Sequence, residues 1–427
     1  MRFSMHGAAF LFALAGLAGG AAAEDAGMSN HGGLTLGEVI EQALARNRDL
    51  AVARSEETIA AAKLRQARTY PHNPELMLEG DAGTGVGRED RSDRRTLLGG
   101  RIGFGQVVEI RGQKGLRTQM AERDRARVEW EIRDAEREVI ASTMRAFSDL
   151  LIFQERVDLA RQVAGLLTQL KDTAQELARA GAVPDLDMLR AEVERQRAAT
   201  RLTLEETNLA SARRNLNAIM GAPAGKPIRA GGLMLFEGFN ENPDALRAKA
   251  DTLRPDLKAA EASLEGAESA LRLVRAERFV PSLTISASYS NGSEYDAFNQ
   301  RGILGVSIPL PIVNRREGDL AAAEGAVKKG EAQRKQVLAR IEKEVAGAYD
   351  QYTAAQKIVA DFARRIVPGV EENAKLIQEG YRLGEFRLTD ALLSQRDLFD
   401  ARSAYLEAAA AYNRAVADLY WATGVRP

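Results

Sequence analysis

Side-chain chemistry needs nucleophiles, proton carriers or metal ligands at workable spacing, and this sequence is poor in all three. It has no cysteine and three histidines among 427 residues. That excludes a thiol nucleophile, disulfides, a Cys-ligated zinc or iron–sulfur centre and lipidation on a cysteine. His72 lies between Pro71 and Pro74, and His31 sits in a polar N-terminal segment. Neither has a second His, a Cys or a Met cluster at ligand spacing, so no metal site is expected. A Ser/His/Asp set has too few histidines to draw on. Gly103-x-Gly105 is followed by no Lys-Ser/Thr and no helix start at the required distance, so it reads as a strand feature rather than a phosphate loop. Tyr381, Tyr405, Tyr412 and Tyr420 fall within long helical stretches, where packing accounts for them. The expectation is a protein that is not an enzyme and carries no cofactor.

Charge and targeting narrow the class further. With 59 basic against 60 acidic residues, there is no bulk electrostatic case for nucleic acid as a partner. Met1-Arg2 is followed by an apolar run from Gly7 to Ala15, ending in Ala21-Ala22-Ala23 before Glu24-Asp25. This pattern reads as a secretory signal peptide over 1–23. Beyond it, no run of about 18 apolar residues could make a spanning helix. Any hold on a membrane must then come from strands.

Internal repetition sets the architecture. Asp49-Leu50 matches Asp256-Leu257 and Pro74 matches Pro281, both at an offset of 207. Gly103 matches Gly305 at 202, while Gly181–Gly384 and Gly221–Gly424 match at 203. A shorter loop in the second half explains the drop. The chain reads as two copies of one unit, 34–222 and 236–424, with a Gly/Pro-rich linker at 223–235. Each copy has the order helix, two short strands, very long helix, turn, long helix. Thr35-Leu36-Gly37-Glu38 is a capping box that opens a helix running to about Thr69. From about Asp124 to Arg179 there is no proline, and small or apolar residues recur every three or four positions. That near-3.5 period is a coiled-coil signature. The second copy repeats it with a helix ending near Glu379, a turn at Leu383-Gly384-Glu385 and a return to about Trp421.

Four segments read as strands: 76–81, 96–108, 283–290 and 303–310, forming hairpins at about 76–108 and 283–310. The first hairpin carries the charged loop 83–95 and the second the polar turn 291–296. Four strands cannot close a membrane barrel, because unpaired edges would face lipid. Either several chains share one barrel, or the strands form a soluble β-patch capping a helical bundle.

Two motifs carry a resemblance to a known family. Pro309-Leu310-Pro311-Ile312-Val313-Asn314-Arg315-Arg316-Glu317-Gly318 resembles the Pro-Leu-Pro…Asn/Arg…Gly segment of the heavy-metal (cobalt–zinc–cadmium resistance) branch of TolC-like outer-membrane efflux factors. Gln106-x-x-Glu109-x-x-Gly112-x-Lys114 resembles the equivalent segment of the first repeat. The resemblance covers nearly all of the mature chain. It implies a mostly α protein with a small β part, a two-repeat TolC-like protomer. It further implies a homotrimer that forms a 12-stranded outer-membrane β-barrel and a 12-helix periplasmic α-barrel. Partners implied are a periplasmic adaptor (membrane fusion) protein, an inner-membrane, proton-driven RND-type pump and outer-membrane lipid. The docking tips would be Ala180, Gly181 and Ala182, and Leu383, Gly384 and Glu385. Tyr381 to Asp390 resembles the family segment ending in a pore-facing aspartate, so Asp390 is the matching pore position, with Leu393 where a second aspartate would stand. Asp187 is its counterpart in the first repeat. Asp390 could equally cap the returning helix. The function implied is an exit duct for heavy-metal cations in a tripartite efflux system. A duct for drugs or secreted polypeptides is the alternative, and a soluble periplasmic coiled-coil scaffold is the rival of another class.

Overall fold

The helix opened by the Thr35–Glu38 box is shorter than its sequence suggests. Thr35 takes the Glu38 amide at 3.4 Å and the Glu38 carboxylate takes the Thr35 amide at 2.8 Å, starting α1 (Leu36–Arg46). Asn47 then breaks the chain into extended backbone before α2 (Arg48–Arg68). Its side chain accepts the amides of Asp49 and Leu50 at 3.0 and 3.1 Å and donates to the Ile219 carbonyl at 2.9 Å. The second half does the same: Arg254 separates α5 (Pro243–Leu253) from α6 (Pro255–Glu277) and donates to the Ala422 carbonyl at 3.1 Å. Asn47 and Arg254 are 207 residues apart, Ile219 and Ala422 203. In each half, one polar residue stands at the break and ties it to the end of the last helix; in the second half Pro255, with no N–H to continue α5, makes the break itself. The single helix expected to about Thr69 is therefore two.

In this computed structural model the described residues are 33–86, 94–179, 184–294, 297–383 and 385–427. The signal peptide, the centre of the charged loop, Ala180, Gly181, Ala182 and Gly384 lie outside them. Among the described residues, β1 (Glu75–Val86), β2 (Arg94–Glu109), β3 (Ser282–Glu294) and β4 (Ala297–Ser307) form one antiparallel sheet in the order β1-β2-β3-β4. At 11 to 16 residues the strands are longer than expected, enough to cross a bilayer at a tilt. The fourth strand starts earlier than 303 and stops at Ser307, because Pro309 and Pro311 have no N–H to donate. Met77 pairs with Gly103 and Thr284 with Ser307. Since Met77 and Thr284 are 207 apart, the structural counterpart of Gly103 is Ser307, two residues on from Gly305. The shift is even, so the faces still agree.

Gly112, at φ 68°, turns the chain from β2 into α3 (Gln113–Arg179), a 67-residue helix about 100 Å long. It begins earlier than expected because nothing after Gly112 obstructs it. α4 (Asp185–Ile219) returns antiparallel to it. In the second half, α7 (Glu317–Asp361) passes through a π-turn, Phe362–Ile366, into α8 (Val367–Leu383). Pro368 explains the turn: it cannot donate to the Arg364 carbonyl and its ring would press on it, and the wider turn relieves both. α9 (Leu388–Thr423) runs back to Gly424 at φ 72°.

The two halves share one core rather than folding separately, within a single unit from Gly33 to Pro427. Ile140 and Met144 of α3 are buried with Leu246, Ile341, Tyr352, Phe399, Val416 and Leu419. Alanines at 408, 409, 410, 415, 417 and 422 of α9 are buried, so its neighbours approach closely. The stretch joining the halves is held by one parallel β-bridge, Leu34 to Ala230, and by side chains. Gln154 bonds both backbone groups of Ala230, Asn413 bonds Met234 O and Phe236 N, and Tyr352 bonds both groups of Phe239.

Candidate functional site

Strand register sorts the sheet into two unlike faces. Leu76, Phe104, Ala287 and Leu304 form one row, and Leu78, Ile102 and Tyr289 lie in the next. The opposite face reads Glu75, Gly105, Ser286, Gly305, then Met77, Gly103, Ser288, Ile303, then Glu79, Arg101, Ser290, Arg301. Arg101 pairs with Glu79 at 3.1 Å on that polar side. The polar side is also the crowded one: a Cβ on Gly103 would stand 2.8 Å from the Cβ of Ser288. The apolar face is bare. Leu76, Leu78, Leu98, Ile102, Phe104, Ile285, Tyr289 and Val306 are exposed, and Leu304 is 87% exposed. Covering these nine side chains would be worth on the order of 10–20 kcal/mol. No helix among the described residues is long and apolar enough to cross a membrane. Both outer edges of the sheet, on β1 and β4, have no strand beside them among the described residues. A bare apolar face and two open edges are unstable in water and suited to lipid once the edges pair.

The two family motifs build the corners between sheet and helices. Gln106 donates to the His72 carbonyl at 3.0 Å, and Tyr70 donates to the Val107 carbonyl at 2.8 Å. Glu109 is held by both ends of the Arg117 guanidinium, at 2.6 and 3.0 Å. Gln113 reaches across to the Pro281 carbonyl of the second half. At the other corner, Asn314 accepts the Arg316 amide at 2.9 Å, fixing Arg316 at φ 53°, and Arg316 pairs with Glu277. His72 stands 4.0 Å from Glu109. Among the described residues no group of three or more His, Asp or Glu could hold a metal ion.

At the far end, the ends of α3 and α8 meet the starts of α4 and α9: Ala174, Ala191 and Leu388 are buried around Tyr381 and Leu392. Asp187 and Asp390 each sit at the third position of a returning helix, but they are used differently. The Asp390 carboxylate accepts the Arg387 amide at 3.1 Å, an N-terminal cap, and the side chain is exposed. Asp187 has no such amide, because Pro184 stands where Arg387 does. It pairs loosely with Arg190 at 3.4 Å and is only 21% exposed. It lies close enough to Tyr381 to matter: burial pushes the Tyr381 hydroxyl above its ordinary range, and the Asp187 carboxylate pushes it further. That hydroxyl is buried with no hydrogen-bond partner among the described residues. Tyr381 is thus packed, as its spacing suggests, yet it holds an unsatisfied polar atom that sequence gives no sign of. Gly380 was not apparent from sequence either. The Phe386 ring lies where a Cβ would be, and the Glu385 amide closes the turn onto the Gly380 carbonyl at 2.9 Å. Leu383 ends α8.

Comparison with known proteins follows the same lines. A family model described as outer membrane efflux protein matches residues 39–222 and 246–425. The chain is 27% identical over 375 residues to the cobalt-zinc-cadmium resistance protein CzcC of Cupriavidus metallidurans, covering 88% of this chain and 86% of that one. Among solved structures, the outer-membrane channel OprN superposes with a TM-score of 0.75 at 20% identity, over 91% of this chain and 89% of that one. CusC gives 0.74 at 18%, over 91% and 92%. The MtrE outer membrane channel of Neisseria gonorrhoeae, in its open state, gives 0.74 at 20%, over 91% and 88%. At such identities the structures speak for the fold alone.

Proposed function

Because the chain belongs to the outer membrane efflux protein family, we propose that three copies of it form an outer-membrane exit duct for heavy-metal cations in a tripartite efflux system. The observation that carries this reading is the sheet, with an apolar face bare to solvent and two open edges. β1 and β4 run in opposite directions, so β4 of one copy can pair with β1 of the next and keep the sheet antiparallel. Three copies give twelve strands, an even number with no edge left over. The repeat also suggests the register. Gly103 pairs with Ser288 inside the chain; their counterparts, Ser307 and Asp81, would pair between copies. The cargo follows from the likeness to a protein named for cobalt, zinc and cadmium resistance. Loss of the chain from its host should therefore lower tolerance of divalent cobalt, zinc and cadmium. Unchanged metal tolerance with lost drug tolerance would keep the duct and overturn the cargo.

In the same reading, the helix-turn tips dock on a periplasmic adaptor coupled to an inner-membrane pump of the RND type. Valine in place of Gly181 or Gly384 should abolish export while the trimer still forms, on the reading that docking there uses the backbone freedom or close approach that glycine allows. Full resistance in both variants would rule out docking there.

Asp390 and Asp187 would stand near the closed periplasmic end of the duct. Three copies of an exposed Asp390 form a carboxylate ring whose summed field draws cations toward the entrance. Asp390→Asn keeps an acceptor for the Arg387 amide and removes three charges per trimer. In planar bilayers it should lower cation preference and weaken block by multivalent cations from the periplasmic side. Identical conductance and block in variant and parent would leave Asp390 as a cap only.

A further inference from the structure

Both tryptophans of the chain, Trp130 and Trp421, line a single cavity of about 380 Å³. It opens between α3, the α5–α6 break and the segment that follows α9, where the two halves of the chain meet. The floor is apolar, with Ile140, Leu253 and Val425. The charged lining is all of one sign: Arg133, Arg137 and Arg426 border the cavity and no Asp or Glu does. These cations are not equivalent. Arg137 is neutralised by Asp134 at 2.6 Å and gives another N–H to the Trp421 carbonyl, also at 2.6 Å. Arg426 pairs with Glu136 at 3.3 Å. Arg133 has no carboxylate partner among the described residues and lies over the Trp130 ring, 4.5 Å from its centroid. Arg137, and Arg254 behind the wall, both lie within 5.5 Å of the Trp421 ring.

We infer that this cavity binds a small amphiphilic carboxylate, an aromatic or alicyclic ring carrying one −COO⁻ group. A guanidinium stacked on an indole keeps its N–H fork free at the edge, the geometry that takes a carboxylate through two parallel hydrogen bonds. One unpaired cation above an apolar floor suits a monoanion with a hydrocarbon body. A phosphate dianion would leave the floor uncovered, and a metal cation would meet three arginines. The volume falls at the small end of ligand pockets. A ligand here would touch α3 of the first half and α9 of the second, so its binding would hold the halves together. The inference does not depend on what the duct carries.

The chain reports on this site directly, since all of its indole emission comes from the cavity walls. The full-length protein in detergent is titrated with para-tert-butylbenzoate and with the uncharged para-tert-butylbenzamide, following tryptophan emission and thermal unfolding. The carboxylate should give a saturable change in emission and a higher Tm, and the amide should bind at least about tenfold more weakly. Arg133→Gln, at an exposed position, should melt as the parent does without ligand and weaken carboxylate binding about tenfold. Arg133→Lys should recover part of that loss. Equal responses to acid and amide, a response that never saturates, or Arg133→Gln binding like the parent would each overturn the inference.

Discussion

Arg254→Met should destabilise the protein by about 3–5 kcal/mol, the usual result of removing one partner from a buried ion pair. Arg254 is 1% exposed. Its guanidinium holds Asp256 through two bonds, at 2.9 and 2.7 Å, Glu344 at 2.6 Å and the Ala422 carbonyl at 3.1 Å. One side chain therefore ties α6 to α7 and to the end of α9. Methionine fills much of the volume but leaves Asp256 buried with Arg340, at 2.7 Å, as its remaining ion-pair partner and Arg137 nearby. The effect should depend on pH in a definite sense. Burial alone would raise the Asp256 carboxyl, but the Arg254 guanidinium, helped by Arg137 and Arg340, overrides it and holds it at about 2, against an ordinary 3.8. In the parent, this stabilisation is complete above the ordinary value and is lost as the pH falls toward about 2. In the variant the strongest depressing partner is gone and only Arg137 and Arg340 oppose burial, so Asp256 is depressed less and less stability is lost as it is protonated. The gap in Tm between variant and parent should be widest at neutral pH and narrow on acidification. A gap that stays constant, or grows in acid, would show that Asp256 is not the group left exposed to burial.

Placing a charge on the sheet should act by parity. Leu304→Arg puts a cation on the apolar face near the middle of β4, where it costs about 2–4 kcal/mol per chain at the bilayer midplane and is repeated in every copy. The protein should fail to accumulate in the outer membrane. Ser290→Arg places the same side chain on the polar face, beside Arg101 and Arg301 in register, and should insert normally while shifting the duct toward anions. The comparison is made by outer-membrane extraction followed by conductance. Normal insertion of both variants would mean that the apolar face does not meet lipid.

How much of this was legible in the sequence varied with how local the cause was. Thr35 and Glu38 declare their helix start because both bonds lie within four residues. Gly221 and Gly424 mark their turns because each takes a positive φ, 63° and 72°, and Gly221 also abuts the Arg46 carbonyl. Asn47 gave no such notice, and Pro255 after Arg254 marks the break but not the tie. An asparagine or arginine within a helical pattern is unremarkable until the carbonyls of Ile219 and Ala422 are brought to it by the fold. Pro368 was visible, but whether it breaks a helix or is absorbed by a π-turn depends on what packs around it. The strand segments could be read from the sequence, whereas the register could not: the matched glycines at 103 and 305 proved two residues apart once the pairing was known. The aspartates show the same limit at the candidate site. Asp187 and Asp390 occupy like positions, and Pro184 against Arg387 decides that only Asp390 has a cap amide to accept. Trp130 and Trp421 are 291 residues apart, and only the packing of the two halves makes them walls of one cavity.

The shared barrel is tested most directly by cysteine pairing across the proposed seam, with Asp81→Cys and Ser307→Cys in the same chain. The parent has no cysteine, so every disulfide formed reports on those two positions. Asp81 and Ser307 lie on the two outer strands of the sheet, and a bond between them must come from another copy if the seam is real. Mild oxidation in the outer membrane should give covalently closed trimers as the largest species, with dimers and linear trimers as intermediates and each single-cysteine variant staying monomeric under denaturing conditions. Monomers alone, dimers as the largest product, or a ladder extending beyond three chains would contradict a barrel closed by three copies.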